Sequence, residues 1–376
     1  MARITLFRER LEQNYRFLDT LFAEKQRSWA VVTKLLCGNP YFIHEVLRLG
    51  VTEVHDSRLS NLKALREQAP SVQTVYIKPP PPQYLAEVVA VADVSLNTEL
   101  STIQGLSEAA QAQGKLHKVL IMVELGDLRE GVLGDHLVDF YQAVFTLPGI
   151  EVIGLGTNLN CLSGVMPSVD KLVQLALYRD ILELRFGRKL PWLSGGTTVT
   201  VPLLVQDRLP AAINHFRIGE LLFFGINLVT GATLAGMRDD VFELTAQIIE
   251  LSEKPTVPEG ELAANPSGEV AVIDPADYGR TAHRALLDIG LLDVQPRYLL
   301  PQDPWVKVVG ASSDMLVVDL ADNPMGLRVG DRLRFRLTYM GALSIINSDY
   351  VEKSVMVEGE ERLFESALPL PSVYID

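Results

Sequence analysis

The sequence predicts a (β/α)8 barrel followed by a second, mostly β C-terminal domain. Three observations carry the prediction. Eight short β-type runs alternate with longer helix-type segments through the first two-thirds of the chain. After about Gly236 the texture changes to closely spaced β runs, and 376 residues exceed what one compact core usually holds. Periodicity alone leaves an open doubly wound sheet as the rival; the count of eight favours closure into a barrel.

The first run, Trp29 to Thr33, is apolar and β-branched, and Gly38-Asn39-Pro40 then starts the helical pattern Tyr41 to Leu49. Thr52 to His55 is followed by a helix from Ser57, and Gln73 to Ile77 by one beyond the prolines Pro79 to Pro82. Ala92 to Leu96 is the fourth strand, with Glu99 to Gln113 as its helix. Lys118 to Val123, Ile150 to Leu155, Pro191 to Ser194 and Asn214 to Ile218 complete the eight. Helical patterns at Leu137 to Phe145 and Val169 to Phe186 separate the middle ones. Beyond them, Val241 to Ser252 alternates like a strand and a polar loop runs from Lys254 to Ser267. Ala285 to Gly290, Val306 to Val309, Met315 to Asp319 and Arg332 to Leu337 are β-rich runs divided by Gly and Asp turns. The expected domains are therefore 11–235 for the barrel, and 1–10 with 236–376 for the β domain.

Composition narrows the function classes. A net charge of −13 repels a phosphate backbone, so no nucleic-acid partner is expected. Cys37 and Cys161 are too few for a disulfide framework or a Cys-rich metal site, and no metal is expected. The charged start MARITLFRERLEQ has no signal-peptide core. The most apolar stretch, Ile218 to Met237, contains Glu220, Asn227 and several glycines, which argues against a membrane span. A cytoplasmic protein is the expectation.

In such a barrel, chemistry gathers at the C-terminal ends of the strands. Read in order, those ends carry Lys34, Asp56, Lys78, Asn97, Glu124 to Arg129, Asn158, Ser194 to Thr198 and Arg217. Any single one fits a satisfied end-of-strand polar group; the set converges on one pocket. A partly desolvated Lys34 would favour the neutral amine that condenses with an aldehyde. A snorkelling lysine at the barrel rim fits its spacing equally well. Ser194-Gly195-Gly196-Thr197-Thr198 offers hydroxyls and close backbone approach, and Asn214-His215-Phe216-Arg217-Ile218-Gly219-Glu220 follows on the eighth strand. Phosphate sites form after strands seven and eight of these barrels. Together the lysine and the two turns suggest a phosphorylated aldehyde cofactor.

Val31-Val32-Thr33-Lys34-Leu35-Leu36-Cys37-Gly38-Asn39-Pro40 resembles the cofactor-lysine motif of fold-type III pyridoxal-phosphate enzymes of the alanine-racemase type. Within them the chain is similar to a group of amino-acid racemases that contains ornithine racemase. The likeness continues through Asp56-Ser57-Arg58, Val94 to Glu99, Glu124 to Gly131, Gly154 to Cys161, Ser194-Gly195-Gly196, Asn214 to Glu220 and Gly310 to Asp314. It covers nearly the whole chain, with the blocks in the family's order. The resemblance implies a pyridoxal 5′-phosphate enzyme that racemises an amino acid, as a homodimer with shared active sites. Lys34 would hold the cofactor and act as base on one face. Arg217 would face the pyridine nitrogen, and Ser194, Gly196 and Thr197 would cradle the phosphate with Gly219 and Glu220. Arg129 would lie by the cofactor's phenolic oxygen and the substrate carboxylate, and Asn158 beside the ring.

Racemisation needs a second acid on the opposite face. Tyr278, in Tyr278-Gly279-Arg280-Thr281, resembles the family's tyrosine, although the segment after it is shorter; Cys161 is the rival, with a small buried filler as its alternative reading. Asp314 is expected over the site or as a plain turn residue, and Tyr339 as a phosphate donor or a packing residue. The acidic surface is compatible with a basic substrate such as ornithine, for whose distal ammonium Glu130, Asp127 and Asp314 are the candidates. The rival functions are a fold-III decarboxylase of a basic amino acid, a non-catalytic pyridoxal-phosphate-binding protein, and a barrel that uses its lysine on a sugar or keto acid without any cofactor. The decarboxylases use a cysteine near the C-terminus, and none follows Cys161; the single-domain carriers have no β domain.

Overall fold

The computed structural model describes residues 1–264, 268 and 270–363. Part of the expected polar loop and the end of the expected β domain lie outside them. The described residues divide into two compact units, Phe7–Val241 and Met1–Leu6 with 242–363.

Strand β1 (Arg3–Phe7) opens the chain and helix α1 (Arg8–Glu24) follows at once. Leu11, Leu18 and Phe22 form the buried stripe of α1. Asn14, wholly buried, donates to the Leu222 and Arg238 carbonyls at 2.9 and 2.8 Å and accepts from the Arg238 N–H at 2.6 Å. These bonds tie both ends of the barrel segment together. Residues 7–10 and 236–241, expected in the β domain, fall in the barrel unit.

The barrel strands are β2 (Ser28–Val32), β3 (Glu53–Asp56), β4 (Gln73–Tyr76), β5 (Val94–Asn97), β6 (His117–Met122), β7 (Ile150–Gly156), β8 (Trp192–Ser194), β9 (Gly196–Thr197) and β10 (His215–Ile218). All neighbouring pairs are parallel, in the order β8-β7-β6-β5-β4-β3-β2-β10-β9. Strand β9 continues β8 past Gly195, so the seventh strand pairs with β7 through one half and with β10 through the other. That break at a glycine closes the ring. Between the strands run α2 (Pro40–Leu47), α3 (Leu59–Gln68), α4 (Leu85–Val91), α5 (Leu100–Ala112), α6 (Leu137–Val144), α7 (Val169–Phe186) and α8 (Val201–Val205), and α9 (Glu220–Phe224) follows β10. Helix α2 starts as the sequence suggests: Asn39 accepts from the Tyr41 and Phe42 N–H groups at 3.1 Å, with Pro40 in the first turn.

The second unit is antiparallel. Strand β11 (Phe242–Pro255) pairs with β1, with β12 (Thr281–Leu287) and with β16 (Arg332–Leu337). Strands β13 (Leu299–Pro301), β14 (Lys307–Ala311) and β15 (Leu316–Asp319) fill in around them, and β17 (Glu352–Val357) pairs with β18 (Glu360–Leu363). Along β16 burial alternates residue by residue, the mark of a sheet with one face packed. Helix α10 (Tyr339–Asn347) is capped by the Thr338 hydroxyl, which accepts from the Gly341 N–H at 3.3 Å. Among the described residues no helix is long and apolar enough to cross a membrane.

Candidate active site

Lys34 leaves β2 on a single 3-10 turn, Lys34–Leu36. The turn directs Leu35 and Leu36 into the core and Lys34 outward, so the lysine is exposed rather than desolvated as expected. Its backbone is held from below. The Thr33 hydroxyl donates to Asp56 Oδ2 at 2.9 Å, and Asp56 Oδ1 accepts from the Arg58 N–H at 2.9 Å and Asn61 Nδ2 at 3.1 Å. Burial pushes the Asp56 carboxyl up, against those hydrogen bonds.

Arg217 lies in register with Ala30 of β2 on one side and Thr197 of β9 on the other. The side chain is 5% exposed, and every hydrogen-bond partner it has here is neutral. One arm donates to the Ser194 carbonyl at 2.7 Å and to its hydroxyl; the other donates to the Thr157 carbonyl at 2.7 Å and Asn158 Oδ1 at 2.8 Å. Burial lowers its pKa to about 10, which leaves it cationic at neutral pH. Asn158 passes the contact on to Glu130, and Glu130 pairs with Arg129. Arg129, Glu130, Asn158, Ser194 and Arg217 are thereby one connected group at the C-terminal mouth.

The turn after β10 completes that mouth. A Cβ on Gly219 would stand 3.2 Å from Val32 Cβ, so this turn runs against the end of the lysine strand. Glu220 is raised by its burial, a shift that the charge of Lys34 opposes. Opposite, Thr197 and Thr200 form a capping box around the turn Thr198–Thr200, and the Thr198 hydroxyl accepts from the Leu221 N–H at 3.3 Å. Ser194 is different. Fully buried, its hydroxyl sits between Arg217 and His215 Nδ1, 2.6 Å away, so it supports the arginine instead of facing a phosphate.

The loop carrying Cys161 is organised by Asp127. This carboxylate accepts from the N–H groups of Cys161, Leu162, Ser163 and Val165 at 2.8–3.2 Å. Burial would raise its pKa, yet these donors bring it below the usual value. Asp127 is therefore committed to its own loop and is no partner for a substrate ammonium, and Glu130 is committed to Arg129 and Asn158. Cys161 is exposed and unbridged. Tyr278, Asp314 and Tyr339 belong to the second unit. Tyr278 is 65% exposed beside the turn Pro275–Asp277, Asp314 is exposed and accepts from the Ser313 hydroxyl at 2.6 Å, and Tyr339 begins α10.

Sequence reasoning missed Glu53, His55, His215 and Thr157. Glu53 and His55 alternate on β3, and His215 stands two residues before Arg217. That period of two would have put each pair on one strand face.

The family model of the alanine racemase N-terminal domain matches residues 8–227. The chain belongs to that family. It is 36% identical over 355 residues to the ornithine racemase of Acetoanaerobium sticklandii, covering 94% of this chain and 99% of that one. It is 28% identical over 351 residues to the lysine racemase of Thermotoga maritima, covering 93% and 97%. A crystal structure of alanine racemase from Bartonella henselae with covalently bound pyridoxal phosphate has the same fold, with a TM-score of 0.71 at 17% identity over 94% of this chain and 99% of that one. The barrel with its β-sheet unit is thus the alanine racemase fold.

Proposed function

We infer that the protein is a pyridoxal-phosphate-dependent amino-acid racemase acting on a basic amino acid, ornithine first among them. The observation that carries the reading is the buried, cationic Arg217 set between the lysine strand and the hydroxyl-glycine turn. The residues fit the cofactor. Lys34 supplies an exposed amine, and the hydroxyls of Thr197 and Thr198 beside the Gly219-Glu220 turn form a donor set for a phosphate. A guanidinium can only donate, so a ring nitrogen facing Arg217 stays an unprotonated acceptor.

Pyridoxal phosphate, when bound, supplies a carbonyl that condenses with amines and a conjugated ring that shares the electron pair left at the α-carbon. The chain's own residues do the rest. Lys34 Nζ would carry the cofactor and then exchange a proton with the α-carbon on one face. Thr197, Thr198, Gly196, Gly219 and Glu220 would hold the phosphate end. Arg217 would leave the ring a weak electron sink, which suits simple proton exchange. Arg129 would steady the substrate carboxylate beside Asn158.

The opposite face is assigned to the hydroxyl of Tyr278, supplied by a second copy in a homodimer, with Cys161 as the rival within the same barrel mouth. The similarity to enzymes named for ornithine and lysine supports a cationic side chain. With Asp127 and Glu130 engaged, Asp314 is the remaining candidate for the distal ammonium. Borohydride reduction of the pyridoxal-phosphate-loaded protein, with peptide mapping, should place the label on Lys34, and L-ornithine should lose optical rotation. A protein that stays colourless and unlabelled with added cofactor refutes the reading.

A further inference from the structure

Below the mouth of the barrel a hydrogen-bonded chain runs from Arg217 to a half-buried carboxylate, and the reaction just described makes no use of it. Glu53 begins β3 with His55 two residues on, and His215 begins β10 two residues before Arg217. His215 Nδ1 lies 2.6 Å from the Ser194 hydroxyl, which also meets Arg217. His215 Nε2 lies 2.9 Å from Glu53 Oε1, and His55 Nε2 lies 2.6 Å from the same oxygen. Gln73 Nε2 donates to the other carboxylate oxygen at 3.2 Å. Trp192 stacks on His215 with ring centroids 4.0 Å apart. Both imidazoles and Ser194 are buried to within 1%.

Donor and acceptor chemistry gives the chain a direction. Arg217 can only donate, so the Ser194 oxygen accepts from it. The buried hydroxyl hydrogen of Ser194 needs an acceptor, and His215 Nδ1 is its remaining partner, which is then unprotonated. The proton of His215 therefore resides on Nε2 and is donated to Glu53. His55 donates its own Nε2–H to that oxygen, and its buried Nδ1 has no hydrogen-bond partner, as a neutral ring permits. Burial holds His55 at about 4, which agrees with that neutral form. Burial alone would raise Glu53, and the two imidazole hydrogen bonds bring it below its usual range instead. The chain is cationic at the mouth, anionic at the base and neutral between.

We propose that Glu53, acting through His215 and Ser194, is a positioning residue for Arg217: it orients the Ser194 hydroxyl that receives one arm of the guanidinium, and so holds the other arm against Thr157 and Asn158. Arg217 then stands between two relayed carboxylates, Glu130 through Asn158 and Glu53 through His215 and Ser194. Direct ion pairing would pull the guanidinium off the ring nitrogen it is meant to face, whereas the relayed hydrogen bonds hold it in place. The proposal rests on the assignment of Arg217 to the cofactor nitrogen. The ligand atoms of Glu53, His55 and His215 also lie within 4.8 Å of one another, a spacing open to a metal ion. An ion would need the Nε2 lone pairs that the chain occupies with hydrogens.

Two measurements test this. Nitrogen NMR of the histidines in the cofactor-free protein should show His215 and His55 as neutral Nε2–H tautomers. A double-variant cycle, E53Q with S194A, is then read on the loaded protein by the absorption band of bound pyridoxal phosphate and its dissociation constant. Each single variant should move the band and weaken binding by about tenfold, while the double variant matches S194A within about twofold, because the chain is already cut there. A role in packing alone would lower the melting temperature of E53Q without moving the band. H215F keeps the stack on Trp192 and cuts the same chain, and replaces E53Q if that variant does not fold. An unmoved band in E53Q or H215F, multiplying effects in the double variant, an Nδ1–H tautomer at His215, or stoichiometric zinc in the purified protein each overturns the proposal alone. A wild-type protein that takes up no pyridoxal phosphate overturns the assigned function with it.

Discussion

Replacing Arg217 by methionine separates its catalytic role from its structural one, and the structure supplies both sides of the calculation. The substitution strands the Thr157 carbonyl and Asn158 Oδ1, whereas the Ser194 carbonyl keeps the Thr157 N–H at 3.2 Å and its hydroxyl keeps His215. The buried Thr157 carbonyl without a donor costs about 1–3 kcal/mol and the half-buried Asn158 Oδ1 no more than that, or roughly 1–6 kcal/mol together. Against this, methionine carries no charge into the barrel. The guanidinium pKa falls from 12.5 to about 10 on burial, equivalent to about 3 kcal/mol of desolvation that the variant avoids. The net change runs from a gain of about 2 to a loss of about 3 kcal/mol, well inside the roughly 5–15 kcal/mol that holds a domain together.

R217M should therefore fold. Urea unfolding followed by circular dichroism measures the first quantity, and polarimetry on ornithine with saturating pyridoxal phosphate the second. Turnover should fall by roughly 100-fold or more, the usual consequence of removing one preorganised electrostatic contact. R217K, which keeps the charge but cannot span Ser194 and Asn158 together, should lie between. A loss of stability beyond about 6 kcal/mol would make Arg217 chiefly a structural pin. Turnover within about threefold of wild type would refute its assignment to the ring nitrogen.

Other predictions follow from the same geometry. Burial holds His55 and His117 at about 4 against an ordinary 6.5, so the unfolded chain takes up protons first as pH falls. Stability from these groups is intact above pH 6.5 and is lost between 6.5 and 4, by about 1.4 kcal/mol per pH unit for each histidine. Urea midpoints at pH 7 and 5 check it; H117N should show a shallower slope, and a flat wild-type profile contradicts the burial argument. A Cβ at Gly196 would stand 2.2 Å from the Phe216 ring, itself pinned by Phe22 with centroids 4.8 Å apart. G196A should lose about 1–3 kcal/mol and bind pyridoxal phosphate more weakly, by calorimetry; unchanged melting and affinity would show that the turn yields freely. D127A removes the acceptor for four loop N–H groups, so the Cys161 thiol should react several-fold faster with a disulfide reagent, and an unchanged rate would show that the loop holds itself.

The fold was legible because each barrel strand is a short apolar run closed by a polar residue, a pattern that burial on both faces imposes. The site was legible only where it lies at strand ends. Lys34 and Arg217 could be placed by register alone, but the burial of a side chain at a turn depends on which way the turn goes. The 3-10 turn after Val32 buries Leu35 and Leu36 and leaves Lys34 outside, and nothing in Lys-Leu-Leu specifies that choice. The barrel closure was hidden for a related reason. Gly195 divides one strand into two, and only the pairing of Gly196 and Thr197 with β10 reveals that both halves do the work of one. Ser194 shows the deeper limit. As a hydroxyl beside two glycines it matches a phosphate turn; as the residue that ends β8 it faces inward, where a hydroxyl must both donate and accept. Only His215 and Arg217 can satisfy it on both sides, and both come from another strand. A polar residue inside a barrel is thus assigned by its cross-strand partners, which sequence spacing does not contain, and the chain from Glu53 to Arg217 is visible only once β3, β8 and β10 are brought together.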